Sequence, residues 1–513
     1  MSTRILGCLF VALLMLAAPM WMGCQPPGQA PSSKPKPSPS GEGPEQPAVP
    51  GPGETPVSPE EPGELPGVEQ PAGPEEPLTP EEPSTPEEPG PVEQSQMTPE
   101  AAADLLRANP QALVEFVRSQ SDFIRAVLRI DELGGKIEFD EAGQIAVVDL
   151  EQRATTDADV ELLTVFTDLP ELVLYGAEIS DEGVKHLNEM PNLVDLTLYN
   201  TDIDDEGLAQ LTELKKLKSL NLRRTTNMTD EGLKHVAENF PNLQYLQLLY
   251  NNISNEGLAH LAGMTKLKLI DLRGCMMVGD EGLEHLAEMK DLKAVKLRSY
   301  GVSDEGMKIL SGLPRLVSVG IEDSNVSDAG LAHLKDLPIE DLNVFRCYSV
   351  TDDGLQYLAG FENLKQLSVR DVPITGTGLV HIADKEKLRK LDLSETAVND
   401  QGLEYLAGLQ NLAWLDLWHT SITDDGLATL AKLGGLKYLN IEDDRITDAG
   451  LAHLAALTGL ETLNLKENPI TDAGVEHLKK MTGLKNLDIS LTDVTDEGAE
   501  QLAEALPDCK ITR

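Results

Sequence analysis

Eight of the nine histidines fall three residues after a recurring glycine: His186, His235, His260, His285, His333, His381, His453 and His477. Imidazoles repeated at one position, as in the run 235–260–285, would suit a ladder of metal ligands only if the rings converged to about 2.0–2.1 Å from one ion. Elsewhere the same position holds Gln210, Ile309, Tyr357, Tyr405, Thr429 or Gln501. A position that accepts isoleucine and tyrosine is a packing position, so no metal is expected. A second row, Thr or Ser followed by Asp and often Glu, resembles a set of carboxylate ligands. Helix capping accounts for it, because a hydroxyl satisfies the first free amides and acidic groups suit the positive end of the helix dipole. The ninth histidine, His419, has no evident catalytic partner. No nucleophile–base pair, phosphate-cradling glycine loop or zinc spacing rises above the repeat. Catalytic residues and cofactors are therefore not expected, and the chain reads as a binding protein and not an enzyme.

The elements that carry these rows recur every 24 or 25 residues. The anchor glycines run Gly183, Gly207, Gly232, Gly257, Gly282, Gly306, Gly330, Gly354, Gly378, Gly402, Gly426, Gly450, Gly474 and Gly498, and a degenerate copy before them has Asp159 in the glycine position. That gives about fifteen units. In one of them Leu436, Leu439 and Ile441 alternate with polar residues as a half-buried strand does. Thr447 then precedes Asp448-Ala449-Gly450-Leu451, with Leu454 and Leu457 at helical spacing. Each unit is thus a short strand, a turn and a short helix. None can bury its own aliphatic face, and stacking builds a parallel sheet on one side and a helical layer on the other. The 41% apolar and 4% aromatic composition requires that aliphatic residues fill this core.

The pattern Leu-x-x-Leu-x-Leu-x-x-(Asn/Cys/Thr), followed by (Ile/Val)-(Thr/Ser)-Asp-x-Gly-Leu-x-x-Leu, resembles the leucine-rich-repeat consensus in its cysteine-containing branch. The resemblance covers residues 136–513. It implies an α/β solenoid with a curved parallel sheet on the concave side, short helices on the convex side, and partners, usually proteins, bound along the concave strands. The same branch occurs in substrate receptors of ubiquitin ligases, but no adaptor domain is evident and the N-terminus directs export. Cys275 and Cys347 fall in the last consensus position, held in other units by Thr201, Thr225, Asn251, Thr396, Thr420, Asn468 and Thr492. They lie three units apart, about 14 Å at about 4.8 Å per strand, too far for a disulfide. They read as structural thiols.

On the concave face the outward strand positions are free to be chosen for binding. At the third of them stand Tyr175, Tyr199, Arg223, Leu249, Arg273, Arg298, Glu322, Phe345, Arg370, Ser394, Trp418, Glu442 and Lys466. Trp414, Trp418 and Tyr438 are expected to cluster on adjacent strands, as are Tyr245, Leu249 and Tyr250. Tyr, Trp and Arg dominate binding hot spots, and this basic and aromatic column stands out in a chain of net charge −44. That charge argues against nucleic acid or an anionic membrane surface as partner of the whole body. The expected ligand is a protein, or a glycan, of the cell envelope, with Tyr175, Tyr199, Arg223, Leu249, Arg273, Arg298, Phe345, Arg370, Trp414, Trp418 and Tyr438 in contact. Replacing Arg273, Arg298, Trp414 and Trp418 together is expected to abolish capture with the fold intact. A structural envelope component that stacks laterally or spaces layers, with no discrete ligand, is the alternative.

The first 135 residues read as a delivery and capping device. Arg4 and the apolar run over residues 5–20 have the pattern of an export signal, somewhat short for a membrane span. The run ends in Trp21-Met22-Gly23-Cys24, which resembles a bacterial lipobox with Trp21 where leucine is usual. Cys24 is then the lipidated residue of an exported, membrane-anchored protein. Cleavage near Ala17-Ala18 is the alternative, disfavoured by Pro19. Residues 25–97 hold 22 of the 33 prolines and fourteen Glu against Lys34 and Lys36, with Pro-Glu-Glu-Pro four times. Such a segment cannot offset its ordering entropy by burial, and it reads as an extended tether of up to roughly 200 Å. Residues 98–135 read as a helical cap: a short helix from Thr98-Pro99 to about Arg107, then a longer one ended by Gly134-Gly135.

Overall fold

The computed structural model describes the backbone of residues 110–513. The export signal, Cys24, the tether at 25–97 and the short helix expected at 98–107 lie outside the described residues. Pro110 opens the helix Pro110–Leu133, at the first helical position where its missing amide costs nothing. Gly134, in the left-handed region at φ 74°, closes the helix, and the amide of Gly135 donates back to the Ile130 carbonyl at 2.8 Å. A feature that periodicity did not reveal follows. The strand Lys136–Phe139 pairs antiparallel with Ile145–Thr156 around a turn at Asp140, so a β-hairpin as well as a helix covers the first edge of the sheet. The helix is held down by the edge-on pair Phe123–Phe166 at 5.4 Å and by Arg129, whose Nε donates to buried Asp159 at 2.7 Å.

From Ile145–Thr156 onward every strand pairs in parallel with the next in sequence, within a 17-stranded sheet that ends at Lys510–Thr512. The register superposes like on like. Leu391, Leu415, Leu439, Leu463 and Leu487 are consecutive partners, and each is at most 1% exposed. The periodic leucines form one continuous cluster. At about 25 cal/mol per Å² such stacking is the main term stabilising the fold.

Two further ladders link successive units along the solenoid. Residues two after the inward strand leucines leave the strand in the left-handed conformation: Asn200, Arg224, Tyr250, Asp323, Arg346, Asp371, Glu395, His419, Asp443, Glu467 and Leu491, all with φ between 46° and 60°. Ordinary side chains pay about 1 kcal/mol or more there. In return each of the first ten donates its amide to a carbonyl of the following unit, as Tyr250 does to Arg273 and His419 to Glu442, extending the sheet bonding past the strand.

The second ladder uses the acidic residue expected only to favour the helix dipole. Thr447 caps its own helix as predicted, accepting from the Ala449 amide. Its amide and hydroxyl also donate to the two carboxylate oxygens of Asp424, one unit earlier, at 2.8 and 2.6 Å. The same two bonds join Asp157 to Ser180, Asp205 to Thr229, Asp230 to Ser254, Asp280 to Ser303, Asp304 to Ser327, Asp328 to Thr351, Asp400 to Thr423, Asp448 to Thr471 and Asp472 to Thr495. Capping therefore does not account for the row by itself; it is also an inter-unit spine. It explains the anchor glycine too. A Cβ on Gly450 would overlap Asp424 Oδ1, and one on Gly426 would overlap Asp400 Oδ1. The two-bond clasp is reduced to a single bond at Asp181–Asp204 and at Asn255–Gly279, and it is missing where Gly376 stands in the aspartate position. There Asn399 bonds only within its own helix turn, to the amides of Gln401 and Gly402.

Candidate functional site

The outward strand positions form a linked file of side chains. The rings of Tyr175 and Tyr199 meet edge-on at 5.1 Å. The Arg223 guanidinium lies 4.9 Å from the Tyr199 centroid and 5.9 Å from that of Tyr250. The Tyr250 hydroxyl accepts from Arg298, and Arg298 pairs with Asp323 at 2.6 Å. Asp323 also holds Arg346, whose guanidinium lies 4.3 Å from the Phe345 centroid. Arg370 bridges Phe345 at 5.0 Å and Trp418 at 5.3 Å, and pairs with Glu395 at 2.8 Å. Nearly every cation in the file thus faces an aromatic ring or a carboxylate of the protein itself. Such contacts restrict side chains that would otherwise lose rotamer freedom on binding.

Two expectations about the column need correcting. Leu249 is 7% exposed and Ser394 is 2% exposed, so neither presents a side chain to a partner. The strands end at Gln247 and Asp392, and beyond a strand end alternation no longer fixes which way a side chain points. Arg273, in turn, is not a free cation. Its guanidinium grips buried Asp271 at 2.9 Å and lies 3.6 Å from Glu322, and these carboxylates hold its pKa up against burial. Removing Arg273 would strand a buried carboxylate, which is strongly destabilising. The fourfold substitution at Arg273, Arg298, Trp414 and Trp418 would not leave the fold untouched.

Toward the C-terminal half, Trp414 stacks on Tyr438 with centroids 4.8 Å apart and planes 8° from parallel, and the Lys390 ammonium lies 4.4 Å from the Trp414 centroid. Trp418 does not join this stack; it is drawn to Arg370, with His419 tilted beside it at 6.4 Å. Nor does Tyr250 pack into the expected trio with Tyr245 and Leu249, since its left-handed backbone turns it to Arg223, Arg224 and Arg298. Beside the stack on the same strand, burial and then neighbouring Asp392 push the Asp416 carboxyl up to about 6.

His419 does have a partner: its Nδ1 lies 2.6 Å from Asp443 Oδ2. Sequence gave no signal of this, because the pair bridges two units 24 residues apart. Among the described residues no hydroxyl or thiol bonds that imidazole, so the pair lacks a nucleophile. No group of three or more His, Cys, Asp or Glu that could hold a metal occurs among the described residues. Cys275 and Cys347 are buried free thiols whose Sγ atoms donate to carbonyls of the preceding unit, Leu248 at 3.0 Å and Ile321 at 3.2 Å. Thr225 and Asn251 bond the preceding unit in the same way. Burial drives the two thiols up to about 12 and about 11. What the face offers is recognition: rigid aromatics and oriented cations on an acidic scaffold.

Five segments, residues 213–237, 241–262, 385–407, 457–479 and 481–503, match the family model described as Leucine Rich repeat. No curated protein matches the chain in sequence. Among solved structures the chain is similar to an internalin (inlF) of Listeria monocytogenes at 21% identity and TM-score 0.38, covering 70% of this chain and 88% of that one. It is similar to an LRR protein of Leptospira interrogans at 19% identity and TM-score 0.38, covering 69% and 80%. A third similar structure is of a TLR13–ssRNA13 complex, at 16% identity and TM-score 0.41, covering 70% and 59%.

Proposed function

We propose that this chain, a leucine-rich-repeat solenoid, is a non-catalytic capture protein that binds a partner protein along its concave face and is held at the cell envelope by lipid on Cys24. The observation that carries the reading is the file from Tyr175 to Trp418, in which aromatic rings and arginines are locked to one another in a chain of net charge −44. Rigid Tyr, Trp and Arg are the residues from which interface hot spots are made. Intramolecular pairing lowers the entropy lost when a partner docks. Such a partner would carry carboxylates or backbone carbonyls opposite the arginines and an apolar rim opposite Trp414, Trp418 and Tyr438.

The test is capture from envelope extract by the full-length protein, with Trp414→Ala/Trp418→Ala as the variant. This pair spares the buried ion pairs of Arg273 and Arg298. Loss of two hot-spot residues should weaken capture by at least about thirtyfold; undiminished capture rejects the surface. A sizing measurement on the same sample distinguishes a spacer, which would self-associate through its ends and capture nothing. Anchoring is tested separately by metabolic palmitate labelling. Label should vanish in Cys24→Ala, and equal labelling of the two proteins would sink the lipid anchor.

A further inference from the structure

A second surface lies on the flank by which the chain enters the strands. The residues at this edge form one backbone-bonded row: Lys218 donates to the Val194 carbonyl, Gln244 to that of Lys218, Lys268 to that of Gln244 and Lys293 to that of Lys268, at 2.7–2.8 Å. Lys215, Lys216, Lys266 and Lys290 crowd the same edge. Seven lysines thus meet across four units of a chain whose net charge is −44.

None of the seven is neutralised. Lys215, Lys216, Lys266 and Lys290 bond only to uncharged oxygens, those of Asn239, Asn192, Asn242 and Gly312 among them. Lys218, Lys268 and Lys293 have no side-chain partner among the described residues. Farther along the same row the pattern is the opposite, with Lys365 bonded to Glu340 and both Lys437 and Lys485 to Glu461. The later lysines are thus paired with carboxylates, whereas in the earlier stretch the one carboxylate between Lys290 and Lys293, Asp291, is bonded to Arg315 at 2.6 Å and leaves the seven lysines unpaired. Lys215, Lys216, Lys218, Lys266, Asn242 and Gln244, with Val194, line an open groove of about 490 Å³ here.

We infer that this lysine-lined groove is a binding site for a linear anionic polysaccharide, one carrying sulfate or carboxylate on successive sugar rings. At about 4.8 Å per strand, Lys218, Lys268 and Lys293 stand at intervals of about 10 and about 5 Å over some 14 Å. The strip is confined to this one edge of an acidic chain. A slender polyanion can follow it, whereas a flat anionic membrane would also meet the surrounding carboxylates. The groove lacks the aromatic platforms on which single-stranded bases stack and the large apolar anchors of a protein interface. The Gln244 amide, set between Lys218 and Lys268, supplies the donor and acceptor that sugar hydroxyls need.

The test is titration of full-length protein with a heparin-derived oligosaccharide at low ionic strength. Lys218→Glu/Lys268→Glu/Lys293→Glu is the variant, and Lys365→Glu/Lys437→Glu/Lys485→Glu reverses as many charges on the paired stretch of the same row. Binding should weaken about a hundredfold in the first and stay within about threefold of wild type in the second. Four results would overturn the inference: no binding by wild type, an unchanged first variant, equal losses in both, or tighter binding of polyglutamate, an oligonucleotide or phosphatidylglycerol vesicles. An unchanged Trp414→Ala/Trp418→Ala titration separates this site from the concave face; a comparable loss there would also overturn it.

Discussion

Replacing Gly450 by alanine should be harmful only because of Asp424. The added Cβ overlaps Asp424 Oδ1, while its next neighbour is the flexible tip of Leu427 at 2.8 Å. Forcing an extra methyl into a packed site costs about 1–3 kcal/mol, against which alanine gains up to about 1 kcal/mol in helix propensity. Asp424→Ala alone removes the bonds to the Thr447 amide and hydroxyl at 2.8 and 2.6 Å. With Asp424 half-buried and partly screened, the loss is about 2 kcal/mol. In the double variant the clash disappears with the carboxylate, so Gly450→Ala should become neutral or stabilising. The expected coupling is about 2 kcal/mol in favour of the double variant. Urea denaturation of the four proteins in the cycle gives the free energies, and native-state hydrogen exchange near Thr447 and Gly450 localises them to one inter-unit contact. Additivity to within about 0.5 kcal/mol would show that the glycine is not there for the aspartate, and the spine argument would fall.

Asp444 is 1% exposed, with one carboxylate oxygen unpartnered, and burial pushes it up to about 7 despite the amide and hydroxyl of Thr420. A folded pKa above the unfolded value favours the folded state at low pH, so this group's stabilisation is lost as pH rises from about 4 to about 7. Asp444→Asn, which installs the residue already used at 468, should remove that slope and stabilise the protein at pH 8 by on the order of a few kcal/mol; thermal melts across that range that stay parallel to wild type would contradict it. The thiols give a third check. Cys275 and Cys347 should react with Ellman's reagent only on unfolding, and fast labelling of either in the native protein would mean that the stacked units open there.

The repeat, its strand–turn–helix unit and the helix caps were legible because each follows from residues a few positions apart. Leu439, Ile441, Thr447 and Gly450 read correctly on local spacing alone. What stayed hidden depends on contacts a whole unit away. The second role of Asp424, the His419–Asp443 pair, the Arg298–Asp323 pair and the reach of Arg273 to Glu322 all join residues that no local pattern relates. The hairpin at Lys136–Phe139 was missed because it falls outside the repeat and is too short to show a period. Leu249 was misplaced because alternation was carried past the end of its strand. The concave column was legible as a set of residue types but not as a file of mutual contacts, since cation–π pairing depends on side-chain direction and not on spacing.

The missing rung at Gly376 has a mechanical meaning. In a stack where each unit holds only its neighbours, tension along the chain is borne in series, and the weakest junction yields first. Between the units anchored at Gly378 and Gly402 no carboxylate clasps the following turn, and Gly402 packs against the bare backbone of Gly376. A pull between the two ends of the solenoid should part it there first, because every other junction from Asp157 to Asp472 keeps at least one side-chain bond of the spine. The break falls between Arg370 and Trp418, two ends of a single cation–π contact, so load on the chain would open the concave face at its aromatic end.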